Sequence, residues 1–354
     1  MSVLTGTAKP LRVAFLGSDA IAIPMLDELT QNLAGQVELV GVFTQPDRPA
    51  GRGQRATPNA IKTWALARSL PVLQPEKLDE HSNAALAAWA PDVSLVMAYG
   101  HLLRDAFIAI PRLETLNLHT SLLPRFRGAS PIQTAVACGE RETGVTLMRI
   151  VRALDAGPIA DVEKVPIRED DTALDIEERL AAACVPLVRR GMVRLIKEGL
   201  SFVEQDARFA TYCRRLSKED GALDFNQPSE QVAARINGLF PWPACSVDLS
   251  GVSVKLGQAV ARNRLPAVES EHEPRDAEVI RRPGEVVMLG DRGLWVTCNP
   301  GFVCLKRLQR PGGRMLPTDE FLRGFRVSER WLIPSRPVAP LVSPSPFPPR
   351  IPNT

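Results

Sequence analysis

The chain has 354 residues, of which 45% are hydrophobic and 23% charged, a composition typical of a globular protein large enough for two domains. No apolar run approaches the roughly 20 residues of a membrane helix, and the N-terminus lacks the apolar core of a signal peptide. The six cysteines lie far apart, with no CxxC pair and no Cys/His cluster at zinc-ligand spacing. We therefore expect reduced thiols, no bound metal and a cytoplasmic protein.

Positive charge is unevenly distributed, although the net charge is only +3. The chain from Gly301 onward carries nine Lys/Arg and three Asp/Glu. Two shorter basic clusters are QPDRPAGRGQR at residues 45–55 and RRLSK at residues 214–218. A polyanion-binding protein requires such an asymmetry, but each cluster taken alone is equally compatible with an ordinary solvated surface.

The first 200 residues alternate between apolar strands and amphipathic helices. Strands are predicted at residues 11–17, 37–45, 71–75, 91–100, 113–119 and 144–151. Helices are predicted at residues 22–33, 58–70, 81–90 and 172–199. Nearly continuous apolar strands separated by helices predict an α/β domain, with an open, Rossmann-like, mostly parallel sheet covered on both faces.

The second part of the chain has a different pattern. Residues 199–218 show no sustained periodicity and are predicted to be a linker. One helix is predicted at residues 229–239, followed by short β-like runs at 245–251, 252–260, 283–289, 293–300 and 302–309. Glycines and turn signals separate these runs, which predicts a small OB-like β-barrel. We therefore predict domains at 1–198 and 219–335, and a disordered proline-rich tail at 336–354.

The first strand does not carry the signature of a nucleotide-binding fold. It runs into GSDAIA, with one glycine where a dinucleotide-binding turn requires GxGxxG, and the chain contains no P-loop. This argues against NAD or ATP as a ligand. Ligands should still gather at the carboxyl ends of the strands, where an open α/β sheet places its binding crevice.

The strand at 113–119 ends in Asn117 and His119, whose side chains share one face because they lie two residues apart. An amide N–H can donate to a developing oxyanion, and an imidazole can exchange a proton near neutral pH. Asp155 follows the next predicted strand and could orient His119. We predict that these three residues are catalytic, while a purely structural, hydrogen-bonding role for the Asn-x-His pair stays open.

Longer motifs around these residues resemble a known family. The stretch NLHTSLLPRFRGASPIQ, which begins at Asn117, resembles the signature of folate-dependent formyltransferases. The stretches TQPDRPAGRG, RLSKED and FPWPACS are similar to those of the family members that act on initiator tRNA. The resemblance runs from about Leu11 to about Trp331. It implies that Asn117, His119 and Asp155 form the catalytic set.

The resemblance also implies two substrates. The formyl donor is 10-formyltetrahydrofolate, and the residues implied to bind it are Ser121, Leu122, Leu123, Pro124 and Tyr99. The acceptor is the α-amino group of methionine on initiator methionyl-tRNA, for translation initiation. The residues expected to contact this tRNA are Arg48, Arg52, Arg55, Arg215, Lys218 and Arg310. No metal, NAD or membrane is expected to take part, and we expect a monomer.

The basic loop at 45–55 is predicted to be a mobile arm that orders against nucleic acid. Arg52 lies between two glycines, so the local backbone is permissive and the side chain can extend far out. We hypothesise that Arg52 enters the end of the acceptor stem, while Arg215 and Lys218 hold the backbone of that stem.

The chain departs from the family pattern at two positions, and two alternative functions stay open. Thr120 stands where the family usually has glycine, and Arg104 stands where it usually has proline. The first departure puts the loop beside the folate in doubt, because threonine is strained at positive φ. One alternative is formyl transfer to a small amine such as an amino sugar. The other is a non-enzymatic RNA-binding module on a degenerate Rossmann scaffold.

Overall fold

The structure, a computed structural model, describes residues 9–50, 55–265, 281–288, 293–328 and 330–347. The chain forms two compact units that interleave along the sequence. The first unit contains residues up to 127 together with 144–165 and 177–210, and the second contains 128–143, 166–176 and the chain from 211 onward. The predicted boundary at residue 198 therefore does not separate the compact units, because two segments before it belong to the second unit.

The first unit is built on a seven-stranded sheet. Its strands are β1 (Leu11–Gly17), β2 (Val37–Phe43), β5 (Val72–Leu73), β6 (Val93–Met97), β7 (Glu114–His119), β9 (Glu142–Arg149) and β10 (Ile159–Pro166). Their order in the sheet is β10-β9-β7-β6-β1-β2-β5. The pairs from β7 through β6, β1 and β2 to β5 are parallel, whereas β9 runs antiparallel to β7. The mostly parallel α/β sheet predicted from the sequence is confirmed. Strand β10 was not predicted, because its IADVEKVP sequence has neither a continuous apolar run nor a strict apolar–polar alternation.

A two-residue strand, β8 (Arg127–Gly128), lies between β7 and β9 in the sequence. Helices lie between these strands or follow the last of them. They are α1 (Ile23–Asp27), which continues as a π-helical turn at Glu28–Asn32, α2 (Ala60–Leu66), α3 (Glu80–Ala88), α4 (Asp105–Ile108), α5 (Pro131–Ala137) and α6 (Ala173–Lys197). Asn59 caps α2 by accepting from the backbone N–H of Lys62, and Asp79 caps α3 by accepting from that of Ser82. These caps explain why both helices begin close to the predicted positions.

The core of the first unit lies on the faces of the central strands. Strand β6 is buried along its whole length, and in β1 only Arg12 is partly exposed. The ring of Phe43 meets Trp89 and Phe107 edge to face, with centroids 5.0 Å and 5.7 Å apart. Burial on both sides fixes the central strands, and therefore also fixes where their carboxyl ends lie.

The second unit contains an antiparallel sheet. Its strands are β12 (Ser246–Leu249), β13 (Val252–Arg262), β14 (Val286–Met288), β15 (Leu294–Thr297), β16 (Phe302–Gln309) and β17 (Leu316–Pro317). Their order is β12-β13-β16-β15-β14, and β17 also pairs with β16. Helix α7 (Ser229–Leu239) packs its buried Val232, Ile236 and Leu239 into the same apolar core. A short helix α8 (Thr318–Arg323) follows the sheet. These elements confirm the predicted β-rich C-terminal part.

The predicted disorder of the tail is wrong for residues 336–343. The backbone N–H of Arg336 donates to the carbonyl of Leu223 at 2.7 Å, and Leu341 is buried. Strand β18 (Val342–Ser343) pairs antiparallel with β11 (Tyr212–Cys213). A strand pairing of this kind lets a proline-containing segment be ordered without forming a helix. Residues 348–354 lie outside the described part of the chain.

Candidate active site

Asn117 and His119 lie at the carboxyl end of β7 and point to the same face of the sheet. His119 is buried, and Asn117 is half-buried between Val96 of β6 and Met148 of β9. Among the described residues, none forms a hydrogen bond with the side-chain amide of Asn117. A partly accessible amide with free donors is suited to bind an oxygen atom of a substrate.

The imidazole of His119 is oriented by two loops. Nε2 lies 2.9 Å from the carbonyl oxygen of Phe126, and Nδ1 lies 3.8 Å from Oδ2 of Asp155. A carbonyl oxygen only accepts hydrogen bonds, so Nε2 must carry the proton that it donates to Phe126. In the neutral ring the lone pair is therefore on Nδ1, which faces the carboxylate. The structure thus brings together the three predicted catalytic residues.

Asp155 is held in an unusual backbone conformation between β9 and β10. Its φ of 48° lies in the left-handed region, which a non-glycine residue adopts only where its surroundings favour it. Two residues later, the backbone of Gly157 lies very close to that of Arg149. A Cβ atom added to Gly157 would be 1.9 Å from the carbonyl oxygen of Arg149. The side-chain amide of Gln205 donates to the carbonyls of Asp155 at 2.9 Å and Gly157 at 2.8 Å. These contacts aim the Asp155 carboxylate at His119.

The loop that follows His119 is fixed by hydrogen bonds to β9. The hydroxyl of Thr146 donates to the carbonyl of Ser121 at 2.6 Å and accepts from the backbone N–H of Leu123 at 3.2 Å. The hydroxyl of Ser121 donates to the carbonyl of Arg125 at 2.7 Å. The Leu123–Pro124 peptide bond is cis.

This loop contains four of the residues predicted to bind folate. Ser121 and Leu123 are buried, while Leu122 and Pro124 are half-buried. Since the Ser121 hydroxyl is engaged within the loop, this side chain is placed to shape the wall rather than to contact a ligand directly. Thr120 is not among the described residues with positive φ, so the threonine that replaces the family glycine causes no such backbone strain.

The carboxyl ends of β1, β2 and β6 form a second group of contacts near the same edge of the sheet. The hydroxyl of Ser18 accepts from the backbone N–H of Gln45 at 2.9 Å, and the Gln45 side chain donates to the carbonyl of Tyr99 at 3.0 Å. The Tyr99 ring packs in the core beside Val96 and Phe107, and burial raises the pKa of its hydroxyl. Tyr99 can therefore offer a ligand its backbone rather than its phenol.

The basic loop predicted as a mobile arm contains a two-stranded hairpin. Its strands are β3 (Arg48–Ala50) and β4 (Arg55–Thr57), which pair antiparallel. At its base Asp47 accepts from Lys62 at 2.7 Å and from Gln74 at 2.8 Å. Arg48 is exposed, the described structure of Arg55 is limited to its backbone, and Arg52 lies outside the described residues. These contacts anchor the base of the arm, whereas the glycines from which its mobility was predicted lie outside the described residues.

The other predicted tRNA contacts lie in the second unit. Arg215 and Lys218 are exposed, whereas the neighbouring Arg214 forms an ion pair with the buried Asp220 at 2.8 Å. Arg310 is exposed, and its guanidinium donates to the carbonyl of Gly324 at 3.3 Å. The RRLSK cluster thus divides into one structural arginine and two cations that are accessible to a partner.

Two residues of this site were missed in the sequence. Thr146 lies within the apolar strand β9, where a threonine reads as an ordinary strand residue. Gln205 lies in the predicted linker, where no periodicity or motif marks it. Both act through contacts with distant parts of the chain, and the spacing along one sequence does not reveal such contacts.

Among the described residues, no group of three or more His, Cys, Asp or Glu side chains could hold a metal ion. In the same part of the chain, no helix combines the length and apolar character needed to cross a bilayer.

Two family models match the chain. The formyl transferase family model matches residues 11–188, and the model of the formyl transferase C-terminal domain matches residues 215–326. The methionyl-tRNA formyltransferase of Pseudomonas fluorescens (strain SBW25) is 39% identical over 319 residues, covering 90% of this chain and 95% of the relative. That of Xylella fastidiosa (strain 9a5c) is 38% identical over 319 residues, covering 89% and 98%.

Solved structures share the fold at much lower identity. A sugar 3N-formyl transferase, WlaRD, studied with dTDP and 5-N-formyl-THF, aligns with a TM-score of 0.59 at 16% identity, covering 84% of this chain and 98% of that one. An N-formyltransferase from Helicobacter canadensis, in complex with folinic acid and dTDP-3-aminofucose, gives a TM-score of 0.60 at 16% identity, covering 83% and 98%. At this identity the comparison establishes a common fold.

Proposed function

The chain belongs to the formyl transferase family, and we propose that it transfers the formyl group of 10-formyltetrahydrofolate to the α-amino group of methionine on initiator methionyl-tRNA. The observation that carries the proposal is the convergence of Asn117, His119 and Asp155 at the carboxyl end of β7. Relatives that share 38–39% identity over nine-tenths of the chain are methionyl-tRNA formyltransferases. The reaction serves translation initiation.

In the proposed mechanism the neutral amine attacks the formyl carbon directly. A covalent enzyme intermediate is unnecessary, because an amine is itself a good nucleophile. The attack gives a tetrahedral intermediate whose oxygen carries negative charge, and the free amide N–H of Asn117 donates to it. One such donor is typically worth about 3 kcal/mol of the activation barrier.

Proton transfer is assigned to His119. Its Nε2–H is held by the Phe126 carbonyl, so Nδ1 is the position that can receive the proton released by the attacking amine. Asp155 lies 3.8 Å from Nδ1 and stabilises the imidazolium that forms. The proton then passes to the departing folate nitrogen as the bond between that nitrogen and the formyl carbon breaks. The products are the formylated amine and tetrahydrofolate, and the proton lost by the amine is the one gained by the folate nitrogen.

The proposed donor site lies between the 121–124 loop and the backbone around Tyr99. Two hydrogen bonds to Thr146 hold the loop, and the Gln45 amide holds the carbonyl of Tyr99. A wall fixed in this way loses little freedom when the ligand binds.

The tRNA is assigned to the basic residues of both units. Arg48 and Arg55 belong to the β3–β4 hairpin, and Arg52 lies between them in the sequence, outside the described residues. Arg215 and Lys218 are exposed cations of the second unit. Arginine on a hairpin can make planar and stacking contacts with an unpaired tRNA end. Arg310 adds positive charge for contact with phosphates.

The test is product identification. Purified protein is incubated with 10-formyltetrahydrofolate and methionine-charged initiator tRNA, and the amino acid is released from the tRNA and identified by mass spectrometry. We expect formylmethionine. A product only with a nucleotide-linked amino sugar would establish the small-amine alternative, and tRNA binding without any formylated product would establish the RNA-binding alternative.

A further inference from the structure

Gln205 joins the two loops that orient His119. Its side-chain oxygen accepts from Nε of Arg127 at 3.1 Å and from a terminal nitrogen of Arg127 at 2.6 Å. Its side-chain nitrogen donates to the carbonyls of Asp155 at 2.9 Å and Gly157 at 2.8 Å. A guanidinium only donates and a carbonyl only accepts, so the partners allow one orientation of this amide. All four hydrogen bonds lie within the first compact unit.

These contacts close a ring of interactions around the imidazole. His119 contacts the carbonyl of Phe126 through Nε2 and faces Asp155 through Nδ1. Arg127 directly follows Phe126, and Gln205 links it to Asp155. The Phe126 carbonyl and the Asp155 carboxylate face the imidazole, and the Gln205 amide links the two loops that carry them.

The segment that carries Gln205 is itself anchored on both sides. Val203 forms a two-way backbone bridge with Ile159, with both N···O distances at 2.8 Å. A 3-10 turn at Ala207–Phe209 follows, and Asp206 caps it by accepting from the backbone N–H of Arg208. Arg127 is buried, so the acceptor end of the amide is shielded from water. A short anchored segment with a buried partner can hold a side chain in one place.

We infer that Gln205 is a positioning residue, which sets the geometry of His119 and Asp155 by holding the Asp155 loop to the loop at Phe126. This inference rests on the proposed function, since it assigns Gln205 a role in that reaction. Gln205 does not touch the reacting atoms and acts through Asp155. Misplacement of a catalytic group by about 1 Å can lower the rate by roughly 100-fold, and the expected effect is therefore on turnover rather than on binding.

The Gln205→Glu substitution tests the donor contacts of the amide separately from its acceptor contacts. It keeps an acceptor for Arg127 but puts a carboxylate oxygen where a donor faced the carbonyls of Asp155 and Gly157. We expect kcat to fall about 10- to 100-fold, while KM for the donor and for the tRNA changes little. Lowering the pH protonates the introduced carboxyl, which can then donate to one carbonyl, so the ratio of variant to wild-type activity should rise as pH falls.

The matched control is Ser201→Glu, which adds the same charge at an exposed position of the same segment and should leave kcat unchanged. A second variant, Gln205→Met, has a similar length and removes all four hydrogen bonds without adding charge. It is measured in the same way if the glutamate variant fails to fold. Folded Gln205→Glu or Gln205→Met protein with kcat within twofold of the wild type overturns the inference.

A spectroscopic measurement separates this inference from the proposed function. Nitrogen-15 spectra of the four histidines report the His119 tautomer in the resting protein, without any substrate. We expect Gln205→Glu to shift the His119 signals and leave those of His81 in place. If the wild type shows no formyl transfer, the proposed function fails, but a shifted His119 signal still supports the structural role of Gln205. An unchanged signal contradicts that role whatever the activity is.

Discussion

Nδ1 of His119 faces Oδ2 of Asp155 across 3.8 Å, and both side chains are largely buried. The distance is too long for a hydrogen bond but short enough for the carboxylate to stabilise a positive charge on the ring. This arrangement is suited to a proton that arrives at Nδ1 during the reaction and leaves again. In the proposed mechanism the carboxylate, and not the histidine alone, is therefore important for turnover.

The first prediction concerns that carboxylate. Asp155→Asn keeps the size of the side chain but removes the charge that stabilises the imidazolium. We expect kcat to fall by about 10²- to 10⁴-fold, the range associated with general acid–base groups. The measurement is formylation at saturating substrates, with donor affinity determined separately by titration. A large rise in the donor dissociation constant with unchanged kcat would show that Asp155 holds the donor instead.

The second prediction concerns Asn117. Asn117→Ala removes the N–H assigned to the oxyanion, and we expect kcat to fall by roughly 10²- to 10³-fold with donor affinity largely kept. The binding of tetrahydrofolate, which lacks the formyl group, should be unaffected. Pre-steady-state formylation measured beside equilibrium binding distinguishes the two effects. Equal losses in binding and turnover would contradict an oxyanion role.

The third prediction concerns the loop beside the donor. Thr146→Val leaves the backbone groups of Ser121 and Leu123 without their partner, which should cost about 1–3 kcal/mol of the free energy of unfolding and weaken donor binding several-fold. Thr143→Val on the same strand is the control, because the described structure gives the Thr143 hydroxyl no hydrogen-bond partner. Unfolding by urea and donor titration of both variants provide the measurement. If the two variants lose the same donor affinity, Thr146 does not act through the loop.

The fourth prediction concerns the basic loop at residues 45–55. Arg52→Lys retains the charge but loses the planar contacts of arginine, so kcat/KM on charged initiator tRNA should fall strongly. Arg310→Ala should instead weaken affinity and reduce its dependence on salt, because it removes a cation assigned to phosphate contacts. Both variants are assayed at two salt concentrations. If kcat/KM of Arg52→Lys equals that of the wild type, Arg52 contributes only positive charge and makes no specific contact with the tRNA.

The fifth prediction concerns the ion pair of Asp220 with Arg214. Burial raises the pKa of Asp220, but hydrogen bonds from Arg214 and Ser217 outweigh it, and the net pKa lies below its ordinary value. The folded state therefore holds fewer protons than the unfolded one, and this stabilisation is present above pH 3.8 and is lost as pH falls through the lowered pKa. Asp220→Asn should cost about 3–5 kcal/mol at neutral pH and flatten the acid limb of the stability curve.

The control for this pair is Asp206→Asn, which breaks an exposed pair with Arg208. Urea unfolding between neutral pH and pH 3 should show little change for the control and a clear loss for Asp220→Asn. The loss should grow smaller as the pH falls, because the wild type loses the same interaction. A constant difference across this range would contradict the titration of Asp220 as its cause.

The sequence predicted the elements that depend on local pattern. Strand β1 begins and ends at the predicted residues, and α7 does the same, because an apolar run or an amphipathic period is sharply bounded there. The Asn117–His119 pair could be found for the same reason, since strand periodicity places both side chains on one face. Chain order alone suggested that Asp155 lies near His119. The distance between the two side chains depends on the left-handed backbone conformation of Asp155, which no local pattern predicts.

The remaining features depend on contacts across the chain. Gln205 reaches Asp155 over a sequence separation of 50 residues, and a predicted linker gave no reason to expect it. The tail was predicted to be disordered from its prolines, yet pairing with Tyr212–Cys213 orders it. The basic arm was predicted to be mobile from its glycines, which lie outside the described residues, while Asp47, Lys62 and Gln74 anchor its base. Tertiary contacts override local composition for Gln205 and for the tail.

The most direct test of the proposed mechanism is the single-turnover rate of formyl transfer to methionine-charged initiator tRNA, at saturating 10-formyltetrahydrofolate, for the wild type and for His119→Ala. The control is His81→Ala, which removes an exposed histidine on α3. We predict formylmethionyl-tRNA from the wild type and the control at similar rates, and a rate lower by orders of magnitude for His119→Ala with donor affinity retained. A near-normal rate for folded His119→Ala protein would contradict the proposed mechanism.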